Sequence, residues 1–281
     1  MKISQIMQAF GVSAARTSAL AYIIAGVFVV TAAAPAAAQN DSSDPKAFTW
    51  SGKIPVDSWI RVKNLTGDVE VVASEGTTVE VTAEKRWDRT DPKDVRFEVL
   101  KDGNNVTICA LWDNDREESY CDEDSYRHEG GGRRNDVRVY FKVKLPKGVR
   151  VEVSTVNGSV DVTGARSQVR AESVNGEVNV TTSAGPVSAS SVNGEVRVSM
   201  DKLEGTDAMS FSSVNGTVSL TLPASFDADL QMSTVNGRVR SDFPITLEGR
   251  IDPRRMRGTI GKGGRQVKLS TVNGNIELRK S

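Results

Sequence analysis

A motif that returns six times constrains this chain more than any other feature. The copies are Ser154-Thr155-Val156-Asn157-Gly158, Glu172-Ser173-Val174-Asn175-Gly176, Ser190-Ser191-Val192-Asn193-Gly194, Ser212-Ser213-Val214-Asn215-Gly216, Ser233-Thr234-Val235-Asn236-Gly237 and Ser270-Thr271-Val272-Asn273-Gly274. Successive glycines lie 18, 18, 22, 21 and 37 residues apart. A period near 20 residues is the mark of a stacked repeat architecture. The last gap is close to two periods and reads as a unit that has lost its signature.

Around each motif the apolar residues alternate, as in Val151, Val153, Val160 and Val162, or Val169, Ala171, Val178 and Val180. Period two argues for strands, and Val, Thr and Ser suit a pleated, crowded surface. Two all-β folds use such a pattern. In an antiparallel hairpin meander each Asn-Gly is a two-residue turn with positive φ. In a single-stranded, β-helix-like β-solenoid with coils of 18–22 residues, each Asn-Gly is a corner. Eighteen residues trace roughly 60 Å of strand, enough for one flattened turn. The solenoid accounts for both the constant period and the valine before every Asn-Gly, which it expects to point into the coil. It expects the corner glycines 158, 176, 194, 216, 237 and 274 to adopt left-handed backbone. It also expects Asn157, Asn175, Asn193, Asn215, Asn236 and Asn273 to stack as an amide ladder.

Ahead of the repeats, residues 1–38 read as an export signal. Lys2 and Arg16 are the only charges there, an apolar stretch follows, and Ala36-Ala37-Ala38 supplies a small-residue cleavage pattern before Gln39. Residues 39–47 read as a polar leader and 48–281 as one domain. With the signal removed, 243 residues carry 34 basic and 36 acidic side chains. That balance argues against a nucleic-acid partner, and no later run is long and apolar enough to span a bilayer. Ile60 to Val71 keeps the repeat rhythm with Asn64 and Gly67 spaced wider than Asn-Gly, so it reads as a degenerate first rung.

Residues 113–136 form a charged, glycine-bearing excursion that carries the lone histidine, His128. Cys109 and Cys121, the only cysteines, bracket its start, and in an exported chain they are expected to form a disulfide. Asp113-Asn114-Asp115 starts like a calcium loop but lacks the expected glycine and acid further on, so it reads as solvated charge and no metal site is assigned.

No catalytic set assembles from the sequence. One histidine gives little basis for a Ser-His-Asp site, and Gly261-Lys262-Gly263-Gly264 is not a phosphate-binding signature. No cofactor is expected. Glu177 and Glu195, on adjacent rungs about 5 Å apart, have the separation of a retaining glycosidase pair. A polysaccharide-degrading enzyme is therefore the alternative to a non-enzyme. Arg254, Arg255 and Arg257 stand in a basic stretch with few acids, a candidate for anionic lipid or glycan.

The serial Val-Asn-Gly-x-Val rungs, the Gly67-Asp68-Val69 turn and the Leu145-Pro146-Lys147-Gly148 turn together resemble the bacterial putative-adhesin family, over nearly the whole chain after the signal. The resemblance implies an extracytoplasmic β-helix-like domain, periplasmic or secreted to the cell surface, and an adhesin-like binding or scaffold role toward an envelope component, glycan or protein. An envelope-stress accessory is also compatible with it. It carries over no catalytic residues. The cysteine pair and the charged excursion depart from the pattern.

Overall fold

The computed structural model describes residues 47–113, 119–123, 125–127, 135–247 and 254–281. Its regular structure is β-strand apart from a 3-10 turn at Pro92–Asp94, and no α-helix occurs among the described residues. Residues 1–38, read above as a signal, almost all of the stretch read as a leader, and His128 lie outside the described residues.

Each motif copy turns a corner between two sheets, and we name each copy, a rung, by its corner asparagine. In the Asn157 rung, Arg150–Asn157 joins an eleven-stranded sheet and Val160–Ala165 joins a ten-stranded one. The next rung repeats this with Val169–Asn175 and Val178–Thr182. Neighbouring rungs pair in parallel with like residues opposed: Val151 with Val169, Asn157 with Asn175, Val160 with Val178. Period two then sends Val151, Val153, Val160 and Val162 into the space between the sheets, where they are buried. The repeats thus form a β-solenoid-like stack. The meander is excluded for them, because antiparallel pairing is confined to the two ends and a small flap.

Spatial order departs from chain order at both ends. Trp59–Lys63 and Val69–Ser74 form the expected early rung, with Asn64 at its corner. It is flanked by the Asn157 rung on one side and, on the other, by Asn105–Trp112 and Arg138–Pro146. The last rung in sequence, Gln266–Asn273 with Ile276–Lys280, inserts between the Asn215 and Asn236 rungs. The long final gap is therefore no decayed rung. Arg255–Ile260 runs antiparallel to Ala228–Asn236, and Thr246–Leu247 runs antiparallel to Arg255–Ile260, so these strands cover what would be an open edge of the eleven-stranded sheet. At the opposite end, Val95–Asp102 and the Ala47–Gly52/Val79–Arg86 pair cover the edges in the same way.

The corners correct two expectations. The valine before Asn-Gly faces outward: Val156, Val174, Val192, Val214 and Val272 are half-buried and Val235 is 52% exposed. The inward position belongs to the preceding Ser or Thr, since it follows Val151 and Val153 by the same period of two. Ser173 Oγ donates to the Gly158 carbonyl and Ser191 Oγ to that of Gly176, each at 2.8 Å, and Thr155, Ser213, Thr234 and Thr271 do likewise at their corners. A column of hydroxyls inside thus satisfies the corner carbonyls.

The corner glycines, moreover, lie outside the left-handed region. They are glycine because rungs stack there backbone on backbone: a Cβ on Gly176 would overlap the Gly158 carbonyl, and one on Gly194 that of Gly176. Gly67, at φ +118°, is the corner glycine that does adopt the strained conformation.

Candidate functional site

The outer face of the eleven-stranded sheet is where side chains converge. Beside the outward valines runs a second column, Ser154, Glu172, Ser190, Ser212, Ser270 and Ser233, because residues two apart on a strand share a face. At the corner edge the asparagine amides form a continuous chain in spatial order. Asn175 Nδ2 donates to Asn157 Oδ1 at 2.9 Å, and Asn193, Asn215, Asn273 and Asn236 continue it, each link 2.8 Å. Every amide oxygen but the last is occupied by the next rung, which makes the asparagines a fastening for the stack rather than a row of free ligand groups.

Toward the C-terminal cap this face hollows into a groove of about 400 Å³. Val192, Val214, Val272 and Val235 line it together with Ser212, Ser270 and Ser233. Arg255 pairs across from Ser233 and Arg257 from Gln231, so both guanidinium stems rise from the same face as those residues. Lys268, opposite Gln231, completes the cationic side. No carboxylate lines the groove among the described residues, and Arg255, Arg257 and Lys268 close no ion pair among them. Of the three arginines singled out from sequence, two line the groove. The third, Arg254, is exposed beside it, and its carbonyl accepts from the Thr234 amide at 2.8 Å.

The opposite end of the same face is roofed by part of the charged excursion. Cys109 and Cys121 are joined by a disulfide, which with Leu111, Tyr126 and Leu65 builds a small apolar cluster outside the main core. Tyr126 Oη donates to the Ala110 carbonyl at 2.7 Å, and burial pushes its phenol well up. Arg61 meets Glu123 at 2.6 Å, and Lys63 Nζ donates to the carbonyls of Asp122 and Glu123. The guanidinium of Arg170 lies 4.5 Å above the Trp59 ring. Next to this cluster stands Glu172, whose carboxyl is pushed up to about 7 by burial and by Glu152, against the pull of Arg170 and Lys63. Asp113, the first residue of the calcium-like stretch, accepts instead from Arg96 Nε at 2.6 Å and from the Ser119 amide at 3.1 Å.

Glu177 and Glu195 lie on adjacent rungs, but Arg197 stands between them. Its Nη1 donates to Glu177 at 2.7 Å and its Nη2 to Glu195. Glu177 is exposed and Glu195 half-buried, and the two share one cation. A glycosidase pair must flank the scissile bond with both carboxyl groups free to reach it, and here one guanidinium occupies the space between them.

A family model described as Toastrack DUF4097 matches residues 135–279, just over half the chain. The chain belongs to the Toastrack DUF4097 family. The matched span takes in all six Asn-Gly rungs, the C-terminal cap and the groove of this Toastrack chain. Among solved structures, a putative cell adhesion protein from Clostridium sporogenes is similar with a TM-score of 0.46 at 11% identity, covering 84% of this chain and 100% of that one. A putative adhesin from Bacteroides fragilis is similar with a TM-score of 0.37 at 12% identity, covering 85% and 98%. No curated protein matches the Toastrack chain.

The sequence left the outward valine column and its groove unseen. The signal was present: counting by two from Val153 reaches Thr155 and leaves Val156 on the other face.

Proposed function

We propose that this Toastrack chain is a non-catalytic, adhesin-like binding module of the bacterial cell envelope, built on a single-chain solenoid with coils of 18–22 residues and exported by the signal at 1–38. The observation that carries the binding role is the groove under the C-terminal cap, where Arg255, Arg257 and Lys268 face one cavity with no carboxylate in its lining among the described residues. Exposed and half-buried cations gathered on one face, with no carboxylate beside them among the described residues, set up a positive field that favours an anionic partner. The disulfide agrees with an oxidising compartment, periplasmic or at the cell surface.

The test is binding of the purified chain to arrays of anionic glycans and anionic lipids, with cell fractionation to locate it. The wild type is expected to bind an anionic class, and Arg255→Ser with Arg257→Ser to weaken it about tenfold or more. Equal binding by both proteins would remove the site. Turnover of a polysaccharide that is lost in Glu195→Gln would replace the binding role with an enzymatic one.

A further inference from the structure

The groove is polarised along the stack. Its apolar component is the outward valine column, which continues beyond the cavity through Val174 and Val156. With strands about 4.8 Å apart, six valines make a strip about 24 Å long and one side chain wide. Val235 at its C-terminal end is 52% exposed, a cost in water that a ligand would relieve. The cations, by contrast, gather at that end alone, on the last three strands of the groove: Lys268, then Arg257 and Arg255 of the cap. At the other end of the strip the cationic residues are already engaged, Arg170 with Glu152 at 3.4 Å and Arg61 with Glu123. A long acidic polymer would be served by cations spread along its length. The observed layout has a charged end and an apolar tail.

We infer that the groove binds a single anionic amphiphile, a long-chain alkyl or acyl phosphate, with its phosphate at Arg255, Arg257 and Lys268 and its chain laid along the valine strip toward Val174. Arginine forks and a lysine suit a phosphate, and the serine hydroxyls beside the valines can donate to its oxygens. The cavity volume of about 400 Å³ lies in the range of sites that take one small ligand. This rests on the anion-binding reading of the same groove.

The experiment is calorimetry on the full chain with dodecyl phosphate below its micelle concentration, beside inorganic phosphate and the uncharged dodecyl maltoside. Dodecyl phosphate is expected to bind at least about tenfold more tightly than either control. The double variant Val214→Thr and Val272→Thr keeps β-branching and lies on the outer face, so it should stay folded. It is expected to lose about tenfold for dodecyl phosphate and nothing for inorganic phosphate. Arg255→Ser with Arg257→Ser should weaken both anions. If inorganic phosphate and dodecyl phosphate bind alike, or the valine variant binds like wild type, the amphiphile is overturned while the anion site stands. If no anionic probe binds, both fall together.

Discussion

Each residue of the Ser/Thr-Val-Asn-Gly motif does a different job. The hydroxyl turns inward to a corner carbonyl, the valine outward to the groove, the amide along the ladder, and the glycine lets backbones touch. The glycine is the least replaceable. Gly194→Ala would drive a methyl group into the Gly176 carbonyl and is expected to cost about 3 kcal/mol, read as a lower denaturant midpoint, whereas Val192→Thr on the outer face should stay within about 0.5 kcal/mol. Glu172 gives a pH signature. Its folded carboxyl sits near 7, above the ordinary 4.5, so the folded state holds that proton more tightly than the unfolded one. Its stabilising share is complete below about 4.5 and is lost as pH rises through 7. Glu172→Gln is expected to gain stability over wild type across that window, by at most about 3 kcal/mol because the side chain is only partly hidden from water. A pH-independent difference in urea midpoints would refute this.

Among elements, the roofing flap and the C-terminal cap are the pieces that shape the outer face. Among the described residues the flap sets Tyr126 and Cys121 against Leu111, Leu65 and Cys109 of the body, and the disulfide between positions 109 and 121 is its one covalent tie there. Closing a loop of this length stabilises by about 3 kcal/mol in the chain-entropy account. Cys109→Ser with Cys121→Ser is expected to lower stability by about that amount while leaving phosphate binding at the distant groove unchanged; a variant melting like wild type would show the bond to be dispensable. The pairing of these cysteines was legible from their even count and from the signal-like pattern of residues 1–38. The place of the flap was not, since nothing local in the 113–136 stretch specifies that Glu123 will meet Arg61 from a strand some 60 residues earlier.

Over the whole molecule, the inserted last rung matters most. Gln266–Asn273 is hydrogen-bonded on both sides, to the Asn215 rung and to the Asn236 rung, so it joins the cap to the body of the stack. Deletion of residues 266–281 is expected to split unfolding into two transitions and to raise binding of a hydrophobic dye, because strand edges in both sheets and the core beneath them open at once. A single cooperative transition near the wild-type midpoint would contradict the insertion. The same connectivity predicts slow, late closure in folding, since the final residues must enter between partners already formed.

By itself the sequence determined the strands, their two-residue alternation, the parallel stacking implied by a constant period, and the corner asparagines, all of which are local or repeat with fixed spacing. The basic stretch at Arg254, Arg255 and Arg257 was visible too, as composition. Only the tertiary structure decided which rung lies beside which, that the outward valines and those cations share one groove, and that Arg197 separates Glu177 from Glu195. Those facts depend on contacts across tens of residues, and rungs with nearly identical motifs can pair in more than one order. The caps that close the edges of the observed order are likewise encoded by no single repeat.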